Sequence, residues 1–525
     1  MSEVENLAGW VCAAVSGRGD KIVLREGERA WTGDQLCDQT ARVATALRML
    51  RIGRGERVAV LMRDSLDAAS AILGTIYAGA VCVPLSELSR PSDIRDCIND
   101  SGAVAVIASA QLEPALDEAR TETPGVREVL VAGRRGPGER DFHSLLRGTA
   151  PAAGPTPVEA DAPAFILYSA GARDRLPSRF AATEGAQLGG LVGIPHTHAG
   201  PQKALAGPWQ ALLGLSGDDR VLSLLRLSTA YGLCAGLFYP LVAGAESLLF
   251  SEQPHTDAVL AAIADFDPTV LCATPSVLGQ LARDVEADAR PLENLRLCLA
   301  GGEEMPPKVV AEVEALGAGV TVGYGFTEAL ALIIAGPGAD SGHGSCGAPL
   351  PGVSARVVGD SGAKLGPGDI GTLEVKAEFL ASRYWGEAAD EGTASGEWFR
   401  TRDRFMIDGD GNYVHCGRGD ELFKVGGKWV APAEVERAML AHEAVWECAV
   451  IGAADDEGLL KPLAFVVPNI GQTPDDALEA SLRSYVKDVL APYKYPRWIE
   501  FVDALPRGPG GKVLRYKLRP PKSLP

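Results

Sequence analysis

No two of the ten cysteines stand in a C-x-x-C spacing; they are scattered singly from Cys12 to Cys448. That absence excludes a zinc ribbon or a thioredoxin-type redox motif. A chain of 525 residues, 46% of them hydrophobic, can bury a large core without disulfide staples. The cysteines therefore read as reduced, mostly core thiols. Cations are also short: 50 Lys and Arg against 68 Asp and Glu leave a net charge of −18. An acidic surface argues against a nucleic-acid partner or an anionic membrane, and an acidic carrier protein would need a local basic patch to dock. Long hydrophobic runs are missing too. The most apolar stretch, Tyr231 to Phe250, is broken by glycines, Pro240 and Glu246. It reads as a buried strand–turn–strand region rather than a membrane span. The opening MSEVENLAGW is acidic and lacks a hydrophobic signal region, so the expectation is a cytoplasmic protein. His196-Thr197-His198 has a spacing that suggests metal ligation, but no Cys or His cluster accompanies it.

What is present is an alternation of strand and helix patterns. Arg57 to Met62 reads as a short buried strand, Ser65 to Ala80 has helical spacing, and Val81 to Pro84 is a strand again. Ala103 to Ala108, Val129 to Val131 and Ala164 to Leu167 repeat the strand pattern, while Pro151 to Pro157 looks like a surface linker. Such alternation implies an α/β fold with parallel sheets covered by helices. From Val353 to Val375 short strands with Gly and Asp turns form a β unit. Beyond Gly419 a separate α+β block follows, with helices at Pro432–Leu440 and Asp475–Leu490 and strands at Ala449–Ile451 and Ala464–Val467. The expected domains are 1–419, large, and 420–525, small and mobile.

Seven segments occur in fixed order: YSAG (Tyr168 to Gly171), IPHTHAG (Ile194 to Gly200), GYGFTE (Gly323 to Glu328), GSCGAPLPG (Gly344 to Gly352), GEWFRTRD (Gly396 to Asp403), CGRGDELFKVGGKWVAPAEVE (Cys416 to Glu436) and PRGPGGKVLRYKLR (Pro506 to Arg519). In that order they resemble the adenylate-forming superfamily of acyl- and aryl-CoA synthetases. The wording around AYGL (Ala230 to Leu233) and KWVAPAEVE is most similar to benzoate-type aryl-CoA ligases. The resemblance implies a carboxylate activated by ATP to an acyl-adenylate, then a thiol displacing AMP after the small domain rotates. A carboxylate is a poor electrophile, so a mixed anhydride must be made while cations and backbone donors hold the phosphates.

The resemblance also implies roles, position by position. Glu328 matches the acidic magnesium contact, where ATP and magnesium are used, and Thr327 the phosphate-facing hydroxyl. Asp403 matches the acid that holds the ribose hydroxyls, with Arg418 beside it; Ser169 and Tyr324 complete the nucleotide set. Arg402 stands where the family usually has Gly, a bulky neighbour for a nucleotide. Tyr231 and Gly232 match the acyl-pocket wall, Gly301 and Gly302 its floor, and Gly325 belongs to the same pocket. Asp420 matches the hinge, Lys424, Gly427 and Lys428 the loop that approaches the thiol tunnel, and Lys512 the lysine bridging carboxylate and α-phosphate.

One segment departs from the family. Between Tyr168-Ser169 and His196 the phosphate loop is lengthened, its Ser/Thr-Gly core is replaced by Ala172-Arg173-Asp174-Arg175, and the usual Pro-Lys becomes Leu191-Val192. Each lost charged hydrogen bond to phosphate costs about 1.5–3 kcal/mol; Arg173, Arg175 and Arg179 are alternative phosphate ligands. The leading expectation is therefore an ATP-independent acyltransferase. It would move an aminobenzoyl- or benzoyl-type group from a CoA thioester to the phosphopantetheine thiol of an acyl carrier protein, as in polyketide starter priming. The alternative is an ATP-dependent aryl-CoA ligase, and a third reading is an aryl-CoA- or carrier-binding protein without turnover.

Overall fold

A computed structural model describes residues 6–133, 139–169, 191–285, 291–338, 344–386, 394–395, 398–419, 422–426, 428–455, 458–506, 513 and 515–520. Two large sheets carry the first part of the chain. The seven-stranded sheet runs, edge to edge, Arg140–Asp141, Glu128–Ala132, Ala103–Ser109, Arg57–Leu61, Val81–Pro84, Pro163–Ser169, Val192–Thr197. All its pairs are parallel except the last. The nine-stranded sheet is parallel through its centre (Ile22–Glu26, Glu246–Leu249, Arg220–Ser223, Val270–Ala273, Leu297–Gly301, Val320–Phe326) and turns antiparallel where Val320–Phe326 meets Ala331–Pro337. Runs such as Val81–Pro84 and Val270–Ala273 are buried at every position, as strands covered on both faces must be.

The expected strands and the helix at Leu66–Tyr77 form close to their sequence positions. The stretch from Tyr231 does not form strand–turn–strand. It is helical through Ala230–Leu233, a π-helical turn Cys234–Phe238 and Tyr239–Ala243, and only then a strand, Glu246–Leu249. Pro240 sits in the first turn of its helix, and Gly244 closes it in a left-handed conformation, φ 72°. A fully buried apolar run has no periodicity to distinguish helix from strand. The expected linker at 151–157 is irregular but anchored, with the Thr156 amide on the Tyr77 carbonyl at 2.9 Å.

An antiparallel sheet follows, with Gly371–Lys376 between Ser354–Val358 and Trp398–Ile407, and Tyr413–Arg418 beyond. The last block has a three-stranded sheet (Val445–Ala454, Leu460–Pro468, Trp498–Phe501) with helices Pro432–Leu440 and Asp476–Val489 packed on it and a hairpin, Phe423–Val425 with Lys428–Val430. Its two apolar clusters draw on residues from Phe423 onward. Among the described residues no helix is long and apolar enough to cross a membrane.

A buried carboxylate joins the two large sheets. Asp64, just past Arg57–Leu61, is 5% exposed and accepts the Leu227 amide at 3.2 and 3.3 Å. Leu227 lies in the turn before Ala230–Leu233, so this bond fixes the approach to Tyr231. Burial pushes the Asp64 carboxyl up to about 7, against the pull of Arg226. A raised carboxyl pKa means that the folded state binds its proton more tightly. The cost is absent below the usual carboxylate range, grows as pH rises, and is complete above 7. Asp64→Asn keeps the acceptor without the charge. It is expected to raise the melting temperature at pH 8 by about 2–6 °C relative to wild type, with the gain shrinking as pH falls toward 5, read by thermal denaturation.

Candidate active site

The turn between Val320–Phe326 and Ala331–Pro337 is a single 3-10 turn, Thr327–Ala329. It buries Glu328 to 1% exposure. The Tyr384 hydroxyl donates to Glu328 Oε1 at 2.8 Å, and the Ala381 amide donates to the Glu328 carbonyl at 2.8 Å. On the other side the His196 ring is hydrogen-bonded to the Thr327 backbone, and burial holds that imidazole down to about 3, so it is neutral at ordinary pH. His198 is likewise spent on structure: its Nδ1 accepts the Leu7 amide at 3.2 Å. Leu330 ends the turn at φ 55°, a left-handed conformation that a bulky residue rarely adopts.

On the same strand Tyr324 hydrogen-bonds through its hydroxyl to Asp403 Oδ2. Its ring lies 6.0 Å from His415, nearly parallel, and 4.8 Å from Phe405, edge-on. Asp403 is paired across the strands with Arg418, so the two residues expected at a ribose are neighbours. Burial alternates strictly along this part of Trp398–Ile407, with Thr401, Asp403 and Phe405 buried and Arg402 and Arg404 half-buried. Arg402 therefore lies on the opposite face of the strand from Asp403.

The residues matched to an acyl pocket also converge. The Tyr231 hydroxyl donates to the Leu299 carbonyl at 3.1 Å, and burial pushes this phenol well above its ordinary range. A Cβ on Gly301 would lie 2.9 Å from Leu332 Cδ2 and 3.0 Å from Tyr231 Cε1, so all three meet at the end of Leu297–Gly301. Gly302 follows at φ 91° and is exposed. Gly232 packs on the Arg226 carbonyl, and Gly325 on the Ala331 carbonyl, 2.1 Å from where a Cβ would be.

Ser169 closes Pro163–Ser169, in register with Val192, at the mouth of the divergent segment. Residues 170–190 lie outside the described residues, as do Asp420, Gly427 and Lys512. Arg515, downstream of Lys512, is held by Glu436 at 2.7 Å. Lys424 and Lys428 stand apart from this cluster, exposed on the C-terminal hairpin, with Lys428 Nζ 4.9 Å from the Tyr493 ring. Sequence reasoning missed Tyr384, Leu332 and His415, and weighed His196 only as a metal ligand. The first lies 56 residues from its carboxylate partner, and no local pattern signals such a contact.

These features define an adenylate-forming scaffold, and the chain belongs to the AMP-binding enzyme family. The family pattern matches residues 12–172 and 192–385, and the pattern of the AMP-binding enzyme C-terminal domain matches 434–512. The benzoate–CoA ligase of Thauera aromatica is 33% identical over 509 residues, 96% of this chain and 93% of that protein. The 4-hydroxybenzoate–CoA/benzoate–CoA ligase of Rhodopseudomonas palustris is 33% identical over 96% of this chain and 91% of its own length. The crystal structure of the anthranilate CoA ligase AuaEII in complex with anthranoyl-AMP superposes with a TM-score of 0.89 at 30% identity, over 98% of this chain and 96% of that one. A benzoate CoA ligase from Burkholderia xenovorans LB400 superposes at 0.88 and 32% identity, over 98% and 100%.

Such relatives overturn the expectation of ATP-independent transfer from CoA to an acyl carrier protein: they are acid–CoA ligases over nearly the whole chain. The expectation weighed a single segment. The family pattern breaks off at 172 and resumes at 192, so the divergence is local, while the residues matched to ribose and acyl binding stay assembled. The acyltransferase and its carrier-protein partner are withdrawn. For the turn itself, Gly325→Ala would drive a Cβ into the Ala331 carbonyl. It is expected to lower the melting temperature by several degrees, about 2–4 °C for each kcal/mol lost, in a thermal scan.

Proposed function

We propose that this protein is an ATP-dependent aryl-CoA ligase. An aromatic carboxylate attacks the α-phosphorus of ATP, giving an aryl-adenylate and pyrophosphate; the CoA thiol then attacks the acyl carbon, releasing AMP and a proton and leaving the aryl-CoA thioester. The observation that carries this reading is the buried Glu328 carboxylate, braced by Tyr384 on the same strand pair that sets Tyr324 against Asp403. Burying two acids is costly unless they serve cationic or hydroxyl partners. The relatives' names give the substrate class: benzoate, hydroxybenzoate and anthranilate ligases.

In this reading the boundary between a large domain, 1–419, and a small one, 420–525, with Asp420 as hinge, separates the two half-reactions. Tyr231, Gly232, Gly301, Gly302 and Gly325 hold the flat ring. Asp403 and Arg418 take the ribose, Tyr324 the base, and Ser169 and Thr327 face the phosphates. Glu328 suits magnesium, a hard cation that takes one or two carboxylates together with substrate phosphates; the ion supplies neutralisation of the charge that develops on the phosphate oxygens. Lys512 stabilises the attacking carboxylate and α-phosphate, and Lys424, Gly427 and Lys428 border the path of the CoA thiol. Arg173, Arg175 and Arg179 replace the missing loop lysine as cations for the outer phosphates.

Acid-dependent ATP–pyrophosphate exchange with benzoate, 4-hydroxybenzoate and anthranilate tests the reading. Exchange with at least one acid, and CoA-dependent thioester formation, are expected; folded protein that exchanges with none of them would sink it. Lys512→Ala is expected to slow exchange by about 100-fold or more. Tyr384→Phe, which removes a hydrogen bond to a buried carboxylate, should slow it by about 10- to 100-fold with the KM for the acid little changed.

A further inference from the structure

Trp209 is fully buried, yet it is the last residue of a π-helical turn, Leu205–Trp209, rather than of an ordinary helix. π-turns are frequent at functional sites. Its indole N–H donates to the Leu330 carbonyl at 3.0 Å, across 121 residues of sequence. Leu330 is the bulky residue at φ 55° that ends the Thr327–Ala329 turn, and its amide closes that turn on the Thr327 carbonyl at 3.2 Å. Without the indole, a buried carbonyl of a strained residue would have no such donor beside it. The indole ring also lies 5.7 Å from Tyr231 and 5.2 Å from Tyr239, whose hydroxyl is fixed on the Pro201 carbonyl at 3.2 Å. One side chain thus packs its ring against Tyr231 and reaches the Glu328 turn with its N–H.

We propose that Trp209 is a positioning residue that sets the Glu328 turn through its indole N–H and ties the orientation of that turn to the packing of Tyr231 in the aryl pocket. The proposal rests on the ligase reading of the site. A buried tryptophan that only filled space would be replaced by another aromatic ring with loss of stability alone. A positioning role makes the N–H itself matter, and it acts on the carboxylate rather than on the affinity for the acid.

The test compares wild type with full-length Trp209→Phe, and with Trp209 replaced by 3-benzothienylalanine, which keeps the bicyclic shape but has no N–H. Two readouts are taken: acid-dependent pyrophosphate release, and Mn2+ binding to the enzyme with a non-hydrolysable ATP analogue, followed by water-proton relaxation without turnover. Both replacements are expected to lower kcat by about 10- to 100-fold with KM for the aromatic acid within about twofold, and to weaken Mn2+ binding by about tenfold. The near-isosteric analogue guards against a Phe variant that does not fold. Folded replacements with unchanged kcat and Mn2+ binding, or with a raised KM alone, overturn the proposal. Wild type that binds Mn2+ with the analogue but releases no pyrophosphate with any acid would instead overturn the ligase reading, and the Mn2+ comparison would still decide the role of Trp209.

Discussion

A carboxylate removed from water must find donors or a cation, because an unpaired buried charge costs several kcal/mol. Glu328, 1% exposed, sets that demand at the heart of this molecule. The Tyr384 hydroxyl answers it, and three further contacts fix the turn that holds it. Tyr384 donates to its side chain, Ala381 to its carbonyl, His196 grips the preceding Thr327, and Trp209 holds the carbonyl of Leu330 just beyond. Those residues come from the seven-stranded sheet, from the helical segment that follows it and from the segment beyond residue 376, so the acid sits where all three meet a turn of the nine-stranded sheet.

The same strand carries this order outward. Tyr324 binds Asp403 and stacks near His415. His415 Nδ1 is 4.0 Å from Glu304, which pairs with Arg437 at 2.7 Å. Arg437 belongs to helix Pro432–Leu440. Burial alone would push the Glu304 carboxyl up, but Arg437 and His415 outweigh it and hold it below its ordinary range. An acid charged under these conditions holds Arg437, and with it the first helix of the C-terminal block, beside the residues that surround Tyr324.

The strands were legible because short apolar runs between turn residues leave little choice. Helix Pro432–Leu440 falls at its expected residues, signalled by a proline in its first turn. The helical Tyr231–Ala243 was not legible, since burial on all sides erases the period that separates helix from strand. At the site, motif order marked Tyr231, Gly301, Tyr324, Glu328, Asp403 and Arg418 as candidates; the fold sets Tyr231 against Gly301, Tyr324 against Asp403 and Asp403 against Arg418. Their supports were invisible: Trp209 and Leu330 are 121 residues apart, Tyr384 and Glu328 are 56. Such pairs are created by packing alone. Arg402 shows the opposite case, where strand alternation, itself readable, puts a residue on the face away from its neighbour Asp403.

The misjudged activity has a physical origin. Counting donors lost from one loop treats phosphate binding as the work of that loop, with everything else held constant. In an adenylating site the binding energy is spread over ribose, base, metal and acid, and interaction energies within such a set are not additive. A chain relieved of nucleotide chemistry would be under no constraint to bury Glu328 and Asp403, because replacing a buried acid by an apolar residue of similar volume is often neutral or stabilising. That both acids stay buried and bonded, Glu328 two residues from the strained Leu330, is a standing cost. The chemistry that uses them is the chemistry best able to explain why that cost persists.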